Sequence, residues 1–225
     1  MSTLISVTGR AEERVAPELA AVFIGVGGSG PERDRVLRDT AAAHEQLLAE
    51  LRALETDGLL QRWSAEQLRV WSHRPWNTEG RRLPLVHEVR ADVQVVFQDL
   101  DRVGEWLADA GARDFLTVNG VDWRLTDATL AVVRERAQRA AVEDAVAKAS
   151  VYADALGASR PVPVELADHG MLSAAQAAPM AAMARMAAPA AFGGAPGGAP
   201  TTEFAPADLV IEARVDARFA AEAKG

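Results

Sequence analysis

The chain has 225 residues, 49% hydrophobic and 25% charged, with 24 Lys plus Arg against 32 Asp plus Glu and a formal net charge of −8. A chain of this length buries roughly 70% of the surface it exposes when unfolded, so one sizeable core, or at most two small ones, is expected. The acidic balance disfavours nucleic acid as a partner, because a phosphate backbone is held mainly by excess Lys and Arg, and the absence of Cys excludes disulfides, Cys-ligated zinc, iron–sulfur clusters and thiol catalysis.

Met1 to Thr8 lacks the basic start and continuous apolar stretch of a secretory signal, and Arg10, Glu12, Glu13 and Arg14 follow at once, so a cytoplasmic location is expected. Ile5 and Val7 alternate with Ser6 and Thr8, and after a turn at Pro17 comes the apolar run Leu19 to Val26. This predicts an antiparallel hairpin whose second strand is buried on both faces. From Pro31 to Thr56, Val36, Leu37, Leu47, Leu48, Leu51 and Leu54 recur at helical spacing, with Pro31 suited to the first helical position and Gly58 to the stop.

Leu68 and Val70 begin a strand, and a clearer one follows, in which Val89, Ala91, Val93, Val95 and Phe97 alternate with polar residues. Asp99 or Asp101 is suited to cap a short helix carrying Val103, Trp106 and Leu107, ended by Gly111. Val121, Trp123 and Leu125 alternate as another strand, after which Thr126 is placed to cap a long Ala-rich helix that stops at Gly157. Val162, Val164 and Leu166 predict a short strand before the composition changes at Met171.

Between Ala174 and Pro200 the chain has thirteen Ala, four Gly and four Pro, too little large apolar surface to offset the entropy of ordering. The stretch 171–204 is expected to be a flexible insertion within one domain spanning 1–225. Order is expected again at Leu209 to Phe219, a regular strand that should pair inside the main sheet. The longest uncharged run is built of Ala, Gly and Pro, so no transmembrane segment is predicted. The fold class that emerges is α+β, an antiparallel sheet with packed helices in the order ββαββαβαββ.

Four stretches carry a family likeness: Ile5-Ser6-Val7-Thr8-Gly9 with Val15-Ala16-Pro17; the strand Val89 to Phe97 running into Asp99-Leu100-Asp101-Arg102-Val103-Gly104; Asn119-Gly120-Val121 before a strand; and Ala153-Asp154-Ala155-Leu156-Gly157. The closing strand from Ala207 to Phe219 adds to them. In this order they resemble the SIMPL-domain family of bacteria. The resemblance implies an α+β domain and a tendency toward large ring-like homo-oligomers in some members. It also implies roles in envelope integrity, oxidative-stress tolerance or signalling interactions. Many members are exported, and without a recognisable signal at Met1 to Thr8 this chain is expected to depart from that pattern. No catalytic site defines the family, so none carries over.

Gly25-Val26-Gly27-Gly28-Ser29-Gly30 matches G-x-G-x-x-G after a strand and before a helix, the local context of a dinucleotide-binding turn. A parallel strand–helix–strand unit is missing from the pattern, and Glu45 and Glu50 fall inside a helix. The stretch therefore reads as a flexible Gly loop feeding a Pro-started helix, with small-molecule or nucleotide binding, or an enzyme, as the alternative function.

The four His residues, His44, His73, His87 and His169, show no ligand spacing, although His73 and His87 could meet if their strands pair and could then share a surface metal, for which no third ligand can be named. Trp63, Trp71 and Trp76 are interleaved with Arg62, Arg69 and Arg74. Such a cluster suits a stacking platform for single-stranded nucleic acid or a sugar, or a subunit interface, and the net charge favours the interface or ordinary packing. Met180, Met183 and Met186 would form an adaptable apolar stripe if helical, a contact for a protein partner. Thioethers beside His169 would also suit Cu(I).

No catalytic residue, cofactor or metal site can be named. The expectation is a non-enzymatic, homo-oligomeric scaffold or protein-interaction protein, linked to stress by resemblance, that contacts its partners through Trp63, Trp71, Trp76, Met180, Met183 and Met186. Replacing Ser173 to Pro200 by a short Gly/Ser linker should leave the chain folded, since closure entropy changes slowly with loop length.

Overall fold

Among the described residues, 2–78, 82–172 and 206–223 of a computed structural model, the chain forms eight strands and three helices. The class is α+β with antiparallel sheets. The chain divides into two compact units, one formed by 16–126 with 206–209 and the other by 1–15, 127–205 and 210–225.

In the 16–126 unit, β2 (Leu19–Gly30) is central to a five-stranded sheet. It pairs antiparallel with β5 (Val86–Phe97) on one side and β6 (Leu116–Arg124) on the other. The far edge of β5 is covered in succession by β3 (Leu60–Ala65) and β4 (Arg69–His73). One sheet face buries Val22, Ile24, Val26, Val93, Val95 and Phe97 in a core shared with Leu47 and Leu51 of α1 (Arg33–Thr56) and Val103 and Trp106 of α2 (Val103–Ala112).

Phe97 and Trp106 meet as a tilted aromatic pair with centroids 5.1 Å apart. The Trp106 indole donates to Glu50 Oε1 at 2.7 Å, and Glu50 also receives Arg113, which reaches Asp109 as well. Those carboxylates hold the Arg113 guanidinium above its usual pKa, the Glu50 hydrogen bond contributing most.

In the other unit, β8 (Leu209–Glu222) lies between β1 (Ser2–Val15) and β7 (Val162–Asp168) in a three-stranded sheet. Ile5, Ala213, Val215, Ala217 and Phe219 form a core with Ala137, Ala141, Ala145, Ala149 and Ala153 of α3 (Asp127–Ala155). The small residue at every fourth position of α3 lets the helix approach the strands closely. Gly9 marks such an approach, since a side-chain carbon there would lie 1.9 Å from the Ala141 carbonyl oxygen.

Two helix stops follow the predicted glycines. Gly58 adopts φ +75°, with Gly58 N–H donating to Glu55 and Leu59 N–H to Leu54, a Schellman arrangement. Gly157, at φ +66°, repeats it with Asp154 and, through Ala158, Ala153.

Several expectations are corrected. β1 and β2 do not form a hairpin, because β1 finds its small-residue complement in the α3–β8 core and β2 needs strands on both sides. Its predicted two-face burial does hold, from Leu19 to Val26 apart from Phe23. β8 joins the three-stranded sheet and not the larger one. β3 is an added strand, so the order among the described residues is ββαβββαβαββ.

Gly25 to Gly30 is strand and not a flexible loop, paired with β5 along its length. Pro31 lies outside α1, whose N-cap is Glu32, and the N-cap of α2 is Arg102 without a side-chain bond. Asp99 instead accepts from the Asp101 N–H in the preceding turn. Gly111 falls inside α2, and Asn119-Gly120-Val121 falls inside β6.

Candidate functional site

Alternation along β2 splits its glycines between two faces. Gly28 and Gly30 face α1, where side-chain carbons would lie 2.7 Å from Thr40 Oγ1 and 3.1 Å from Val36. Gly25 and Gly27 face the opposite side and floor a trough of about 440 Å³. Its walls are Trp71 and Arg90 on the β4–β5 side and Thr117 and Asn119 of β6 on the other, with Ser29 and Glu88 at one end.

A bulge shapes the β6 wall. Phe23 pairs with Gly120 and Ile24 with Val118, leaving Asn119 as the extra residue. Gly120 has φ +154°, a conformation that favours glycine. Asn119 consequently reaches across Gly25, its Nδ2 and Oδ1 lying 3.1 and 3.8 Å from where a side-chain carbon at 25 would stand, with Arg90 Nη2 at 3.6 Å. Arg90 pairs with Asp92 at 3.4 Å, and Glu88 with His73 at 3.3 Å.

The G-x-G-x-x-G spacing thus serves strand packing on one face and an open trough on the other. A dinucleotide turn would need its backbone N–H groups free at a helix N-terminus. Sequence spacing missed this trough because it depends on Asn119, whose only signal was the Asn-Gly pair that the bulge uses.

A second feature lies in the three-stranded sheet. Asp216, buried on β8, accepts from Gly170 N–H at 2.8 Å, Thr8 Oγ1 at 2.8 Å and His169 Nδ1 at 3.2 Å. The Gly170 bond leads in holding its carboxyl below the usual carboxylate range, against the opposing effect of burial. At the sheet edge, β7 leaves Val162, Val164 and Leu166 61%, 61% and 57% exposed. Val151 and Tyr152 of the α3 terminus, and Leu156 just after it, are also exposed.

Of the three expected Trp contacts, Trp63 and Trp71 lie on opposite faces of the sheet. Trp63 lies on the α1 face of the sheet, half-buried, donating to Glu55 at 3.1 Å and sitting 5.9 Å from the Arg52 guanidinium. Trp71 lies on the opposite face, and Trp76, 84% exposed, follows β4. Met180, Met183 and Met186 lie outside the described residues. His73 and His87 sit on paired strands but not opposite one another. Ser72 is opposite His87, and its hydroxyl shares a 2.6 Å hydrogen bond with His87 Nδ1. Among the described residues no group of three His, Asp or Glu side chains is placed to hold a metal ion, and no helix is long and apolar enough to cross a membrane.

No significant match to a curated protein was found. The family model for SIMPL, described as a protein of unknown function (DUF541), matches residues 5–219. The chain therefore belongs to the SIMPL family.

Proposed function

We propose that the chain is a non-enzymatic, self-assembling scaffold or protein-interaction protein. The observation that carries this reading is the apolar edge strand β7, whose Val162, Val164 and Leu166 are each more than half exposed. An edge strand offers unpaired backbone groups as well as side chains, and soluble proteins ordinarily blunt such edges with charge or cover them. Exposed Trp76 adds a second anchor of the type enriched in interface hot spots. Met180, Met183 and Met186 enter the proposal on sequence alone, as an adaptable contact. A stress-related setting rests on the family resemblance.

The test is the mass of the purified full-length particle by light scattering, with Val164→Lys and Leu166→Lys as edge variants. Wild type is expected to be a defined multimer, and the variants smaller with unchanged circular dichroism. A stable wild-type monomer at micromolar concentration would overturn the proposal, as would edge variants that assemble like wild type. Replacing Ser173 to Pro200 by a Gly/Ser linker is expected to weaken assembly or partner capture while leaving the fold intact.

A further inference from the structure

Gly25 and Gly27 empty the middle of a sheet face that side chains would otherwise fill, and three polar atoms from Asn119 and Arg90 surround the space within 4 Å. Asn119 is placed there by a bulge, a device that re-aims side chains and recurs next to functional sites. The side chains of Ser29, Thr117 and Asn119 make no hydrogen bond to any other described residue, so their donors and acceptors are available to a ligand. Trp71, 41% exposed, supplies a flat apolar wall beside them.

The charges narrow the ligand class. Arg90 is engaged by Asp92, which also holds Arg69 at 2.9 Å, and Glu88 by His73. An anion such as a nucleotide phosphate would have to displace a carboxylate from Arg90, whereas a neutral ligand leaves both pairs intact. The remaining groups are an indole face and neutral hydroxyl and amide groups. They match a ring with one apolar C–H face and hydroxyls around its edge, each of which both donates and accepts. The trough volume of about 440 Å³ lies within the range of small-ligand sites, about 300–1,000 Å³.

We propose that this trough binds a neutral pyranose unit of a carbohydrate, stacked on Trp71 and hydrogen-bonded by Asn119, Thr117 and Ser29. The residues concerned all belong to the 16–126 unit, so the proposal stands independently of assembly through β7.

The experiment is an NMR titration of the full-length chain with cellobiose, maltose and N,N′-diacetylchitobiose, following the Trp71 indole N–H and the Asn119 side-chain amide. Adenosine serves as a planar control. At least one sugar should give saturable shifts of both signals in the millimolar range. Gly25→Val, which fills the floor, and Asn119→Ala, an exposed change that leaves the core untouched, should each weaken binding by about tenfold or more. The proposal is overturned if no sugar gives saturable shifts, if the shifts persist undiminished in both Asn119→Ala and Trp71→Ala, or if adenosine binds and the sugars do not.

Discussion

Thr40 is fully buried in α1, and its Oγ1 has no hydrogen-bond partner among the described residues. A buried hydroxyl without a partner costs about 1–3 kcal/mol, and Val has nearly the same shape and a similar helix propensity. Thr40→Val should therefore stabilise the protein by about 1 kcal/mol, read as a higher urea midpoint at unchanged slope. A lower midpoint would mean that the hydroxyl has a partner after all. Gly28 tests the same contact from the strand side, since an added methyl would meet Thr40 Oγ1 at 2.7 Å and the Phe115 ring at 3.0 Å. Gly28→Ala should destabilise, and Thr40→Ala in the same chain should recover part of the loss, because touching residues do not act additively.

Asp216 gives a pH-dependent prediction. Its folded pKa is depressed, chiefly by the Gly170 N–H, with Thr8 and His169 adding to it. A depressed carboxylate contributes stability that is fully present above its unfolded value of about 3.9 and is lost as pH falls through the folded value. Asp216→Asn should lower stability at neutral pH by about 1–3 kcal/mol. It should also flatten the decline of stability below about pH 4. A variant with the same acid slope as wild type would show that other carboxylates govern acid unfolding.

Among the elements, α3 shows how far packing can depend on small residues. Its buried positions beyond Val133 are all Ala, so it seals its core by closeness and not by bulk. Gly9 is where β1 touches the Ala141 backbone, and backbone at 1.9 Å cannot yield as a flexible side chain would. Gly9→Ala should cost about 3 kcal/mol or more, at the upper end of ordinary substitutions, and the loss should appear as faster amide exchange in β1 and α3. Near-wild-type exchange would mean that the helix can shift outward at little cost.

The same elements explain what the sequence disclosed. Alternation marked β5 and β8 and periodicity marked α1, because each has one face to bury, and the Gly58 and Gly157 stops were legible because Schellman turns require the left-handed conformation. β3 was hidden because Gln61, Arg62 and Ser64 leave only Leu60 and Trp63 to signal a strand. The trough needed two glycines, a Trp on β4 and a bulged Asn on β6, brought together only by pairings that local pattern does not encode.

Across the whole molecule, chain connectivity separates the two units unequally. Residues 16–126 are continuous and carry their own core of β2, β5, α1 and α2, and only 206–209 join them from elsewhere. The other unit is assembled from three chain segments, because β8 must reach β1 across nearly the full sequence. Closing so long a loop costs entropy before any contact repays it, and contacts this distant also slow folding. A chain truncated after Leu172 keeps the continuous unit but lacks the central strand of the three-stranded sheet. It should retain native amide resonances for the core strands β2 and β5 while those of β1, β7 and α3 collapse to unfolded positions. The isolated fragment Ala16–Thr126 should unfold cooperatively with the same core resonances. If truncation after Leu172 melted β2 and β5 as well, or if the fragment failed to fold, the two units would be one cooperative structure, with β8 needed for both.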